Sequence, residues 1–287
     1  MRRLPFGKRR SFSEVYMYPQ IEVFGRTIGV YGLCAMVGIA VCVVVATFLS
    51  HRQECSFEAI LLFSLAIGGG LLVGGHLLFG LTQIKTVAYI FAHLNELSFR
   101  QIVHGLIACF GGSVFYGGFL GGLAAVFIYT KYSKTIPRSF ALDLYAVMTP
   151  LFHVFCRIGC FFGGCCYGKE WSWGFCVAEN QINPAVAGVV RIPVQLLESG
   201  CNLIIFLIVL LLFLRRIYTG RLLCIYLLLY PIARFVLEFY RGDAIRGIWF
   251  GLSTSQWISI ALFMCTAATL IWTAIWQRQK RTATKNI

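Results

Sequence analysis

Charge is what this chain has least of. Asp, Glu, Lys and Arg make up 13% of its 287 residues, hydrophobic residues make up 59%, and the mean hydropathy is +0.77. A soluble domain carries about 25% charged residues. The deficit excludes a soluble globular fold and leaves an integral membrane protein with several spans. Acids are the scarcer sign: 11 Asp and Glu stand against 25 Lys and Arg, a formal net charge of +14. The basic residues lie between hydrophobic spans and form no soluble module, which argues against nucleic acid as a partner. Cytoplasmic loops beside anionic lipid headgroups account for such an excess, and a basic cavity for an anionic lipid would add to it.

Other absences narrow the reading. There is no repeat of fixed period and no low-complexity segment, so the chain reads as one membrane domain. The N-terminal stretch is basic but leads into no immediate apolar core of about 7–15 residues, so it is expected to be a surface arm rather than a cleavable signal. This gives an arm over 1–27, a polytopic domain over 28–276 and a basic cytoplasmic tail over 277–287. The twelve cysteines contain no paired C-x2-C framework, and no metal is expected. Cys34, Cys42, Cys109, Cys201, Cys224 and Cys265 fall singly inside apolar segments as small hydrophobes.

What is present is a series of long apolar runs. A spanning helix needs about 20 such residues. Seven segments qualify: Ile28–Ser50, Ala59–Leu81, Tyr116–Tyr132, Ser139–Phe161, Leu196–Leu214, Leu222–Phe239 and Leu252–Trp276. The mixed stretch 82–114 suits a short interfacial helix and a partial insertion. The stretch Lys169–Ile192 reads as an exposed loop, with Asn180, Asn183 and Pro184 as turn residues. Basic clusters at Lys131, Lys134 and Arg138, at Arg215, Arg216 and Arg221, and in the tail fall on one side of seven spans, which makes that side cytoplasmic. The arm would then face outward, against the preference of its own Arg2, Arg3, Lys8, Arg9 and Arg10; an even number of spans reconciles all four groups.

Against this background, charges inside the spans stand out. Arg157 ends a long apolar segment in the run Cys156-Arg157-Ile158-Gly159-Cys160-Phe161-Phe162-Gly163-Gly164-Cys165-Cys166-Tyr167-Gly168. An arginine at bilayer depth costs roughly 2.5–3.5 kcal/mol and is normally paired or faces a polar cavity. Its planar fork grips anions through two parallel hydrogen bonds, and the glycines around it permit close approach. The run therefore suits a phosphate-bearing ligand. Arg234 and Glu238 are at i, i+4 and, with Arg241, form a stripe along the sixth span. Arg157 and Arg234 would clamp one phosphate from two helices, with Glu238 holding an arginine in place. His153, four residues before Arg157, is either a core histidine with a backbone partner or a base or orienting group. His76 is open in the same way. Gln195 and Glu198 are either ordinary helix-start residues or a polar wall facing the cavity. Asp143 lies about 21 Å along the helix from Arg157; it is either solvated near the cytoplasmic end or the partner of a cation on another helix.

These motifs resemble the prolipoprotein diacylglyceryl transferase family. The resemblance rests on Tyr31-Gly32-Leu33; on Phe115-Tyr116-Gly117-Gly118; on Asp143 and Pro150; and on Arg157, Gly159, Phe161, Gly164 and Gly168 of the signature. It continues through Arg191-x-Pro193-x-Gln195-Leu196-x-Glu198, then Arg234, Glu238, Phe239, Arg241 and Asp243, then Ser253-x-x-Gln256-x-x-Ser259. It implies an all-α protein of the bacterial cytoplasmic (inner) membrane, with about seven helices around a lipid-binding cavity. It further implies transfer of the diacylglyceryl group of phosphatidylglycerol to the lipobox cysteine of a prolipoprotein, releasing glycerol phosphate, with no metal or soluble cofactor. The implied catalytic set is Arg157, Arg234, Glu238, Tyr116 and His153. The implied binding set is Tyr31, Gly117, Gly118, Gly159, Cys160, Gly164, Cys165, Gly168, Gln195, Glu198 and Arg241. At three of these positions the chain departs from the family pattern: Tyr116 replaces a histidine, Cys160 an asparagine and Cys165 a glutamate. A tyrosine, with a pKa of about 10, is a poor base, which leaves His153 or His104 as replacements. A phospholipid binder or mover of the same family, a transferase acting on another acceptor, and a thiol-redox membrane protein using Cys156, Cys160, Cys165, Cys166 and Cys176 are the alternatives.

Overall fold

The computed structural model describes residues 14–15, 19–23, 25–177, 187–243 and 247–285. Arg2, Arg3, Lys8, Arg9 and Arg10 of the arm and the turn residues Asn180, Asn183 and Pro184 lie outside the described residues. Apolar runs in lipid must satisfy their backbone internally, so they become helices. Nine helices are described: α1 (Val30–Ser50), α2 (Phe57–Thr82), α3 (Ile84–Ala92), α4 (Phe99–Phe110), α5 (Phe115–Tyr132), α6 (Arg138–Gly163), α7 (Val194–Leu214), α8 (Leu222–Glu238) and α9 (Thr254–Lys285). Each of the seven expected segments corresponds to one of them. The stretch 82–114 carries α3 and α4, and α9 runs on through the basic tail.

The count of seven spans is not reached by length and composition. Five helices are long and apolar enough to cross a membrane: α1, α2, α6, α7 and α9 to Gln277. The pair α4–α5, bent by 84°, makes a sixth if taken as one broken span. The helix left out is α8. It has 17 residues and carries Pro231, Arg234 and Glu238, so it is about 26 Å long against a hydrocarbon core of about 30 Å.

A second correction concerns 169–192. This stretch holds β4 (Glu170–Val177) and β5 (Val190–Arg191), paired antiparallel, with β1 (Glu14–Val15) parallel on the other edge of β4. Two small hairpins complete the strands: β2 (Gln20–Val23) with β3 (Arg26–Gly29), and β6 (Ile248–Trp249) with β7 (Leu252–Ser253). The last pair displaces the expected start of the final span. Ser253 Oγ accepts from Gln256 N at 3.3 Å and Gln256 Oε1 accepts from Ser253 N at 2.9 Å, a capping box that fixes where α9 begins.

The chain divides into two compact units, Val41–Tyr145 and Met1–Ala40 with Ala146–Ile287. In the first, α2 and α5 cross backbone to backbone. A Cβ placed on Gly121 would lie 2.0 Å from the Gly70 carbonyl oxygen, and one on Gly117 would lie 2.3 Å from that of Gly74. Both helices therefore present glycines four apart, the small-xxx-small device by which membrane helices approach closely. His76 Nδ1 lies 2.8 Å from Phe110 O, which settles its reading as a histidine with a backbone partner. Asp143 is buried at 2% exposure, which removes the solvated alternative.

In the second unit, Gly38 of α1 packs on Phe152 and Phe155 of α6, and Gly159 packs on Tyr31 and Cys34. The segment after α6 pairs with the segment after α8: Lys169 N donates to Tyr240 O and Gly242 N to Tyr167 O, each at 2.9 Å. A side chain on Gly168 would meet Ile192 O at 2.2 Å, so only glycine fits there. These ties fix the ends of α6, α7 and α8 together.

Enlarging a glycine in the α2–α5 crossing tests the first unit. Gly121→Leu drives a side chain into backbone that has no room to yield. It is expected to lower stability by at least the 1–3 kcal/mol typical of overpacking, read as a fall in the thermal midpoint of the detergent-solubilised protein. Leu120→Ala, on an exposed face, is expected to change it little.

Candidate functional site

Glu198 is the centre of the charged cluster. It lies in the second turn of α7 and is 2% exposed. Its Oε1 stands 3.0 Å from Arg157 Nη2 of α6, and its Oε2 stands 3.2 Å from Arg234 Nη1 of α8. One carboxylate thus draws together arginines from two other helices. Arg234 continues through Nη2 to Glu238 Oε2 at 2.7 Å and to Ser255 Oγ at 3.3 Å. Two guanidinium groups are balanced by two carboxylates, all buried. Removing such ions from water costs several kcal/mol each, recovered only when every charge is paired at short range.

The helices supply this geometry by spacing. His153 and Arg157 are one turn apart on α6, and Arg157 Nε donates to His153 Nε2 at 3.2 Å. An Nε2 that accepts a proton donor is unprotonated, so the network assigns a neutral imidazole at His153. Its 3.7 Å approach to Glu198 Oε1 is therefore not an ion pair. In this arrangement His153 orients the guanidinium. The His153 ring packs against Tyr230 at 5.3 Å between centroids. On α7, Asn202 Nδ2 donates to Glu198 O at 2.8 Å and Ser199 Oγ to Val154 O at 3.2 Å, which anchors the carboxylate-bearing turn. Gln195 Nε2 donates to Cys165 O at 2.8 Å and fixes the turn after α6. Gln195 and Glu198 are thus both buried and bonded to segments outside α7, beyond any helix-start role.

The expected stripe on α8 is broken. The helix ends at Glu238, and Arg241 instead makes a two-point contact with Asp243. Burial works against the Arg241 charge, but the Asp243 carboxylate outweighs it and raises the pKa. Tyr31, at the start of α1, lies against Gly159 of α6. Tyr116, Gly117 and Gly118 lie on α5 in the other unit, where the two glycines are taken up by contacts with α2. His104, on α4, is exposed.

Three thiols gather at the end of α6. The Sγ atoms of Cys160, Cys165 and Cys166 all lie within 4.8 Å of one another, and Arg157 Nη1 points at Cys160 Sγ from 3.9 Å. Cys165 Sγ donates to Cys160 O at 3.7 Å, and the neighbouring Cys160 and Cys165 thiols with the Arg157 and Arg241 charges lower the pKa of Cys166, beyond the helix, against the opposing effect of burial. The sequence grouped these thiols with Cys156 and Cys176, but spacing alone did not show which three meet. Asn202, Ser199 and Ser255 were missed. The available signal was polarity inside otherwise apolar helices.

Fold and site together define a polytopic membrane protein with a buried arginine–carboxylate cluster shared by three helices. The family model for prolipoprotein diacylglyceryl transferase matches residues 20–272. The chain is 30% identical over 241 residues to the phosphatidylglycerol–prolipoprotein diacylglyceryl transferase of Clostridium tetani, covering 83% of this chain and 90% of that one. It is 31% identical over 246 residues to the second such transferase of Clostridium perfringens, covering 85% and 90%. It is 40% identical over 153 residues to that of Campylobacter curvus, covering 51% of each. The chain belongs to the prolipoprotein diacylglyceryl transferase family.

Glu198→Gln keeps the shape of the side chain and removes the charge between the two arginines. It is expected to destabilise the protein by about 3–5 kcal/mol, the usual cost of leaving a buried charge unpaired, seen as a lower unfolding midpoint in detergent. An unchanged midpoint would show that the arginines are neutralised by something else.

Proposed function

We propose that this chain transfers the diacylglyceryl group of phosphatidylglycerol to the cysteine thiol of a prolipoprotein lipobox, releasing glycerol phosphate, in the bacterial cytoplasmic membrane. The relatives that cover most of the chain carry that activity in their names. The observation that carries the reading is the convergence of Arg157 and Arg234 on one buried point from separate helices. The acceptor thiolate attacks the glyceryl carbon, the carbon–oxygen bond to phosphate breaks, and the phosphate leaves with the electron pair as a monoester. Negative charge grows on that phosphate, and fixed cations in a water-poor site stabilise it strongly.

The donor inventory says how. A guanidinium has five N–H groups. Arg157 uses Nε on His153 and Nη2 on Glu198, while Nη1 meets, among the described residues, only the weak acceptor sulfur of Cys160. That Nη1 edge is the one with capacity for a phosphate oxygen. Glu198 and Glu238 hold the two forks in register, and His153 acts as a positioning residue. The departures at Cys160 and Cys165 lie beside this edge, so they bear on which headgroup atoms it meets.

The test is to incubate purified protein with labelled phosphatidylglycerol and a lipobox peptide and to weigh the peptide. A gain of one diacylglyceryl group is expected. Arg157→Lys keeps the charge but loses the fork, and transfer should fall by about 10²–10³-fold, as on removal of a donor to a developing anion. No mass gain by the unaltered protein, or a full rate in the lysine variant, contradicts the proposal.

A further inference from the structure

We propose that Cys160, Cys165 and Cys166 form a three-thiolate site for a soft d10 metal ion of the Zn2+ class. Their Sγ atoms already lie within 4.8 Å of one another. Zinc–sulfur bonds of about 2.3 Å place ligand sulfurs about 3.8–4.0 Å apart, so closure requires movements of an ångström or less. Side-chain rotation can supply these, because the backbone of the turn is already fixed. Cys165 N donates to Cys160 O at 3.2 Å, Gly164 N to Phe161 O at 3.2 Å, and Gln195 holds the Cys165 carbonyl. Cys166 sits at φ 56° in the turn between α6 and β4.

Charge and access agree. Three thiolates around a divalent ion carry one net negative charge beside the Arg157 Nη1 edge, 3.9 Å from Cys160 Sγ, so a bound ion would compete with a phosphate for that edge. Cys160 is buried, Cys166 half-buried and Cys165 exposed, so an ion enters from the Cys165 side and comes to rest against protein. On binding, each thiol loses its proton to solvent as its metal–sulfur bond forms. Thiolates select Zn2+, Cu+ and their heavier relatives over Mg2+ and Ca2+. Three protein ligands leave the fourth tetrahedral position to an exogenous ligand.

The probe is Cd2+, titrated into the reduced full-length chain in detergent while the thiolate-to-cadmium absorption is followed. Saturation at one ion per chain, displacement by Zn2+ and indifference to Mg2+ are expected. Partners outside the ligand shell alone are worth about 10–100-fold in affinity, so Cys166→Ser should weaken binding by at least on the order of 10-fold. A wild-type measurement guards against a misfolded variant. Cd2+ should protect Cys165 and Cys166 from alkylation, mapped by mass spectrometry, and leave Cys176 and Cys265 reacting as before. Absence of a saturable band, a band that survives Cys160→Ser/Cys165→Ser/Cys166→Ser, or unprotected Cys165 and Cys166 each overturns the site.

Discussion

A guanidinium cannot shed its charge, so where water is scarce it must be neutralised by geometry. Arg157 and Arg234 meet that demand through one residue of a third helix, and Glu198 gives each of them one oxygen. Because each oxygen is committed to a different helix, α6, α7 and α8 cannot slide past one another without exposing a cation to apolar surroundings. The smaller contacts then follow. His153 and Asn202 fix the two sides of the bridge, Glu238 takes the far end of Arg234, and the Gly168 crossing locks the helix ends.

The same constraint shapes the chemistry. On the function proposed above, an anionic phospholipid headgroup would bring to this place a group that these cations can hold. With the two carboxylates already balancing the arginines, an added phosphate must compete for donors rather than fill an empty charge. That favours recognition by hydrogen-bond geometry over recognition by net charge. On that proposal the site would be best matched to a developing phosphate monoester, which draws on donors more strongly than the diester before it. This is the sense in which such a site binds the transition state better than the substrate.

Helix placement was legible in the sequence because lipid leaves the backbone few choices, and every long apolar run became a helix. The pairing of Arg234 with Glu238 was legible for the same kind of reason, as a local i, i+4 relation. The role of Glu198 was not, since no spacing along the chain connects α7 to α6 and α8. The strand Glu170–Val177 was legible only in part: its exposed tryptophans, Trp171 and Trp173, alternate with the period of two that marks strands, but the polar turn residues nearby read as a loop. The shortness of α8 could have been read from Pro231 and the charges that follow it. Which three of the grouped thiols meet could not, because that depends on a backbone reversal at Gly164 and Cys166.

The most direct measurement of the central claim is a double-mutant cycle on thermal stability that pairs Glu198→Gln with Arg157→Met and, separately, with Arg234→Met. If one carboxylate holds both arginines, each single change leaves a buried group unmatched while each double change relieves it. Both cycles should then show coupling within the 0.5–3 kcal/mol seen for residues of one network. Additive effects in both cycles would mean that Glu198 does not join the two helices, and the account of this site would be wrong.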